Sequence, residues 1–224
     1  INGGTFNADK SIFYVNVDTN YIQKIIVNGG TFNVAEGGSL IEVSSGNAGD
    51  YLTITGGTFN CLNDQGSAIA IYDLGKVAQE ENISISGDAK LTSISDTRKS
   101  YQVLSLDDIG VTNSAYGANS GKVNSTITGG SFSADPAEYL SEDYRSVAGE
   151  DGLYTVSMKD TVATIGGTKY TSLAKAIAAA QDDDTVMLVA DTTEDITISG
   201  KKLTLDLGGK TLTNTGIGKA TLFV

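Results

Sequence analysis

Three strand-like runs in this chain each end on an acid. "VNVD" places Asp18, "IAIYD" places Asp73, and "LSLDD" places Asp107 and Asp108 at the same point of successive segments. If those segments stack, the carboxylates line one face. Such a row suits calcium, a hard cation that takes oxygen ligands. It also suits a glycosidase pair, with one carboxyl giving a proton and the other attacking the sugar or activating water. The bland alternative is that these are solvated turn residues ending strands. The basic groups that a lyase sets beside its acids are scarce: Lys76, Arg98 and Lys99 are near in sequence but in loop-like segments. No Gln-Asp-Asp-Arg esterase constellation occurs, and coils this regular without a distinctive polar cluster weigh against catalysis.

Composition narrows the field further. A net charge of −12 disfavours nucleic acid, whose phosphates need clustered Lys and Arg. There is no His, and the single cysteine, Cys61, excludes an intrachain disulfide framework and a Cys-based zinc site. Cys61 follows a "GGTFN" turn on a strand pattern, where it reads as a small core residue. No run approaches the roughly 18 apolar residues of a transmembrane helix. These residues include no signal-peptide pattern and start mid-repeat, so the expectation is a true N-terminus elsewhere. Two sequons, Asn82-Ile83-Ser84 and Asn124-Ser125-Thr126, are glycan acceptors only in a secreted eukaryotic setting, and chance alone supplies them in so Ser/Thr/Asn-rich a chain. Of the tyrosines, Tyr116, Tyr139 and Tyr144 sit in irregular segments, where packing is the simpler role.

The elements that would position any site are set by a repeat. "INGGTFN", "VNGGTFN", "ITGGTFN" and "ITGGSFS" place their second Gly at Gly4, Gly30, Gly57 and Gly130, and a degenerate copy, "ISISGDAKL", puts Asp88 there. Periods of this length mark solenoids. "LTIT" (52–55), "ISIS" (83–86), "STIT" (125–128) and "ITIS" (196–199) alternate with period two, as half-buried strands do. "IFYVNV" (12–17), "LIEVS" (40–44), "AIAIY" (68–72) and "YQVLSL" (101–106) supply a further strand per repeat. Phe6, Phe32, Phe59 and Phe132 should stack inside, and Asn7, Asn33 and Asn60 should form an amide ladder. The expected fold is all-β, a right-handed parallel β-helix of three short strands per coil. Longer loops near 73–82, 95–100 and 107–122 remain free to carry recognition.

Residues 135–158 break the rhythm. Asp135, Pro136 and Glu138 read as the start of a short helix, and a polar turn and the strand "LYTVSM" follow, closing a first domain of residues 1–158. From 159 to 224 a second begins. Leu173, Ala176, Ile177 and Ala180 share one helical face after Thr171 or Ser172 as cap, predicting a helix at about 171–181.

This second stretch resembles the N-terminal cap of β-helices of the pectate-lyase and pectin-esterase type. The matching residues are Tyr170, Leu173, Ala176 and Ile177, then Asp184-Thr185-Val186 and Lys202-Leu203-Thr204-Leu205. Asp183 stands where that family has Gly, which is tolerable because Asp visits left-handed backbone more readily than most residues. The "GGSF…DPAEYL…DGLYTV" run resembles the exit segment of β-helix modules in large bacterial cell-surface proteins. That resemblance implies an extracellular, cell-surface location and an adhesin or filament role. With no distinctive polar cluster, catalysis and a cofactor are not expected, calcium at the aligned acids being the one weak candidate. The expected partners are host or cell-wall glycans or other copies of the chain.

The two ends also match. "TLFV" followed by "INGGTF" reads like "QKIIVNGGTF", and counting through Val224 into Ile1, Gly200 and Gly3 lie 27 positions apart, as do Gly29 and Gly56. The expectation is a head-to-tail array in which Ile1, Gly3, Gly4 and Phe6 meet Leu222, Phe223 and Val224, in one long polypeptide or between subunits. The competing expectation is a polysaccharide-binding or polysaccharide-cleaving β-helix acting through Asp18, Asp73 and Asp107.

Overall fold

A computed structural model describes residues 1–16, 24–36, 41–44, 52–62, 69–72, 81–93, 104–105, 124–218 and 220–224. The chain divides into two compact units, Ile1–Ser157 and Met158–Val224. It is mostly β, with one short α-helix.

In the first unit the strands come in sets of three. They are β1 (Thr5–Ala8), β2 (Phe13–Asn16) and β3 (Ile25–Val27); β4 (Thr31–Val34), β5 (Ile41–Ser44) and β6 (Leu52–Ile54); β7 (Thr58–Cys61), β8 (Ile69–Tyr72) and β9 (Glu81–Ile85); β10 (Lys90–Ser93), β11 (Leu104–Ser105) and β12 (Asn124–Ile127); then β13 (Ser131–Phe132). Each strand through β10 pairs in parallel with the third one after it, so three sheets grow side by side. The register holds sequence-equivalent residues opposite one another: Phe6 pairs Phe32, Phe32 pairs Phe59, and Leu91 lies between Phe59 and Phe132.

Alternation decides which side chains enter the core. β4 and β7 bury every second residue, so Phe32, Val34, Phe59 and Cys61 lie inside while Thr31, Asn33, Thr58 and Asn60 stand outward. From the neighbouring sheet Val27, Ile54, Ile85 and Ile127 form a second buried column. Phe6, Phe32 and Phe59 stack with ring centroids 5.0 and 4.7 Å apart, the strand spacing carried into the side chains. Each fully buried Phe contributes about 1.5–3 kcal/mol of transfer free energy.

The corner before each of these strands needs glycine. Gly57 takes φ +103° and a Cβ there would lie 3.2 Å from the Gly30 carbonyl oxygen. In the degenerate copy the left-handed position moves back one residue, to Gly87 at φ +66°. Asp88, expected to replace a turn glycine, therefore has no such conformation to adopt.

The last set is closed off. A single 3-10 turn, Ala137–Tyr139, stands where the capping signal predicted a helix. Asp135 caps it locally, its Oδ1 accepting from the Ala137 N–H at 3.0 Å and from the Ser146 hydroxyl at 2.5 Å. The helix goes no further because Leu140 turns extended and bridges Ile127. Then β14 (Tyr144–Ala148) and β15 (Tyr154–Met158) follow, and β15 lies antiparallel on β13. Of these only β15 was expected, since β14 had read as a polar turn. Tyr139 and Tyr144 pack against the core.

The second unit opens with a hairpin that the sequence reading missed, β16 (Ala163–Ile165) and β17 (Thr168–Tyr170), turning through Gly166 and Gly167. The helix α1 (Leu173–Ala179) is shorter than the expected 171–181, because Ser172 is extended as its N-cap and Ala180, at ψ 142°, has left helical geometry. Leu173, Ala176 and Ile177 are buried on its inner face as their spacing required. Then come β18 (Thr185–Leu188), β19 (Thr192–Thr193), β20 (Ile196–Thr197), β21 (Thr204–Asp206), β22 (Leu212–Thr213) and β23 (Leu222–Phe223). The parallel pairs β18/β21, β19/β22 and β20/β23 repeat the three-strand period.

A seven-residue helix is too short to stand alone, and its own cap residue together with the connections downstream brace both of its ends. Ser172 Oγ accepts from the Lys175 N–H, while the two oxygens of Glu194 accept from Leu173 N and Ala174 N, both at 2.9 Å. At the other end Lys201 Nζ donates to the carbonyls of Ile177, Ala178 and Ala180 at 2.8, 2.5 and 2.9 Å. Carboxylate at the N-terminus and ammonium at the C-terminus each match the helix dipole. Asp183 takes φ +67°, the left-handed conformation expected where the resembled family has Gly.

Candidate functional site

Asp18, Asp73, Asp107 and Asp108 lie outside the described residues, as do Lys76, Arg98, Lys99, Tyr116 and most of the three long loops. Glu81 and Asn82, expected in the first of those loops, belong to β9. Both sequons sit on paired strands, β9 and β12. Among the described residues no group of three or more Cys, Asp and Glu gathers as metal ligands would. No described helix is long and apolar enough to cross a membrane.

Several acids of the second unit are engaged in holding the backbone. Asp182, Asp191 and Asp195 each accept, through Oδ1, the N–H of the residue 20 positions on: Lys202 at 2.9 Å, Thr211 at 2.7 Å and Thr215 at 2.9 Å. They tie one set of strands to the next across the corners. This recurrence at 20 was present in the sequence and was not recognised.

The first unit offers a built edge instead. β1, β2 and β3 are the terminal strands of their three sheets, all at the same end. Gly3 and Gly4 form the corner leading into β1, and Ile1 is held by a backbone pair, its nitrogen donating to Ile26 O at 2.6 Å and its carbonyl accepting from Asn28 N at 2.8 Å. Phe6 is 37% exposed here, whereas Phe32, Phe59 and Phe132 are fully covered. The opposite end of the β1 sheet is covered by β15, antiparallel to β13, and then by β14.

Two polar columns run to that edge. Asn60 donates its amide N–H to Asn33 Oδ1, and Asn33 to Asn7 Oδ1, both at 2.8 Å, with Thr92 extending the column by donating to Asn60 Oδ1 at 3.0 Å. In the second, Asn28 donates to Asn2 Oδ1 at 2.8 Å and Thr55 to Asn28 Oδ1 at 2.9 Å. Every bond has one sense, later set to earlier. The asparagine ladder expected at Asn7, Asn33 and Asn60 is present; its continuation to Thr92 and the second column of Asn2, Asn28 and Thr55 were unforeseen.

Leu222, Phe223 and Val224 form an edge of the second unit and are 41%, 66% and 87% exposed. β23 pairs with β20 so that Leu222 lies opposite the buried Ile196, and Phe223 opposite the exposed Thr197. That separation of 26 is one residue short of the 27 counted between Gly200 and Gly3, and it makes Leu222 the inward position on this strand. The junction residues named from the sequence thus fall into two groups, one on an edge of each unit.

Comparison with protein-family models, curated proteins and solved structures finds no match to this chain.

Proposed function

We propose that this chain is a non-enzymatic structural module, a right-handed parallel β-helix that serves as a stiff spacer or adhesin stalk in an extracellular, bacterial-type surface protein or filament. The observation that carries this reading is the in-register stack of equivalent strand positions at separations of 26 and 27 residues. Three sheets growing in step, with every third strand adjacent, is how a solenoid adds length without adding a new kind of contact. Right-handedness follows from the preference of parallel crossovers in a single sheet. Extracellular placement rests on the resemblance of the exit segment to surface-protein modules, and the net charge of −12 favours solubility and mutual repulsion over nucleic-acid contact.

Electron microscopy and small-angle scattering of the protein test the proposal. A rod that lengthens by about 4.8 Å for each three-strand set supports it. A compact particle that turns over or binds an acidic polysaccharide, with that property lost in Asp73→Ala, would replace it with a glycan-active reading.

A further inference from the structure

We propose that the open edge of β1 is a docking site for one specific strand, β21 of a second copy of this chain, with Asn7 of one copy beside Thr204 of the other. The proposal deepens the structural reading above and rests on it.

Three features of the two strands fit that register, the first two fixing its odd or even phase and the third choosing among the outward positions. The first is side-chain parity. In β1, Phe6 and Ala8 continue the inward rows of Phe32 and Val34, while Asn7 continues the outward row of Asn33. In β21, Leu203 and Leu205 pack on the core of their unit and Thr204 is exposed. Setting Thr204 against Asn7 puts Leu203 on Phe6 and Leu205 on Ala8. A shift of one residue would put every side chain on the wrong face.

The second is backbone phase. The carbonyls of Gly4 and Ala8 accept from Thr31 N and Ala35 N in the following strands. By the alternation of a parallel ladder, the N–H and C=O of Thr5 and Asn7 then face the open side. On the partner strand, Thr204 N donates backward to Asp184 O, so the C=O of Leu203 and the N–H of Leu205 face forward. In the proposed register Asn7 N–H meets Leu203 C=O, and Leu205 N–H meets Asn7 C=O, the same pattern that joins β1 to β4.

The third is the sense of the amide column. Each asparagine donates its amide to an oxygen in the preceding set. Asn7 already accepts from Asn33, which leaves its own amide N–H groups for an acceptor on the incoming strand. The Thr204 hydroxyl is such an acceptor, mirroring Thr92, which meets the far end of the same column through its own hydroxyl. An aliphatic residue here, or a cationic one such as Lys202, would leave the amide unmatched, while Asp206, the other outward acceptor on the strand, is already engaged by the Gly208 N–H.

A cross-linking experiment on the whole chain tests the register. Asn7→Cys and Thr204→Cys chains are mixed and mildly oxidised, and the heterodimeric disulfide is quantified. Asn7→Cys mixed with Lys202→Cys or with Asp206→Cys, the two outward positions flanking Thr204, serves as comparison. Cys61 is buried and stays out of the exchange, and circular dichroism checks that each variant folds. The expected result is a yield at Thr204 at least about tenfold above either neighbour, because opposed positions on adjacent strands lie within disulfide reach and those two residues along do not. Equal yields at the three positions, or preference for another one, would overturn the register while leaving the structural-module reading intact. Absence of any cross-link in a sample that still forms rods would show that another surface joins the copies. Absence of both cross-links and association at high concentration would remove β1 as a docking edge, whereas polysaccharide turnover would instead strike the reading on which the proposal rests.

Discussion

At the scale of single residues, position within the repeat decides how much a side chain matters. Gly57 and Gly3 are both glycines of the same motif, yet only Gly57 combines a positive φ with a neighbouring carbonyl in the way. Gly57→Ala should therefore cost roughly 1–3 kcal/mol, read as a lowered urea midpoint. Gly3→Ala should be nearly silent, since nothing lies within 4 Å of a Cβ there and its φ is ordinary. A comparable loss at both would mean that the corner, not the φ, sets the cost. Phe32 is covered by stacked rings on both sides, so Phe32→Ala should lose about 3–5 kcal/mol. Phe6→Ala, at the exposed end of the same stack, should lose well under half of that in the isolated chain.

At the scale of elements, α1 shows how a sequence-weak helix is held by its surroundings. Its apolar face and its Ser172 cap were legible from the sequence, but the other groups that satisfy its ends come from 20 to 24 residues downstream. Lys201→Met removes the donor of three carbonyl bonds and should cost about 1.5–3 kcal/mol. Glu194→Gln keeps one acceptor but loses the charge facing the helix N-terminus and should cost about 1 kcal/mol. Lys202→Met is the control. Its ion pair with Asp183, at 2.8 Å, is 83% and 75% exposed, and screening by water leaves such pairs little to contribute. Thermal melts followed at 222 nm should rank the variants Lys201, Glu194, Lys202 in order of decreasing damage. An equal effect at Lys201 and Lys202 would mean that the carbonyl contacts contribute nothing.

At the scale of the whole molecule, the two units have separate cores, one built on Phe32, Phe59 and Phe132 and the other on Leu173, Val186 and Leu188. Two cores allow two transitions, so the chain should depart from two-state unfolding. Phe59→Ala should shift one transition in denaturant and Leu188→Ala the other. If both substitutions moved a single transition together, the units would be unfolding as one.

The sequence by itself determined most of the local pattern. Strict alternation gave the inward columns, because a strand's side chains can only point two ways. Paired glycines gave the corners, and the i, i+3, i+4 spacing of Leu173, Ala176 and Ile177 gave the helix face. The hairpin strands β14, β16 and β17 escaped, because "YRSVA", "ATI" and "TKY" are short, mixed stretches whose pairing is set by the sheet edge they cover. The helix expected after Asp135 became a single 3-10 turn for a similar reason, since Leu140 is drawn into a bridge with Ile127. Only the tertiary structure decided that the polar columns share one donor sense, and that Leu222 rather than Phe223 faces inward. Residue order carries types and spacing. Which edge is left open, and in what phase, depends on hydrogen bonds between residues 20 to 30 apart.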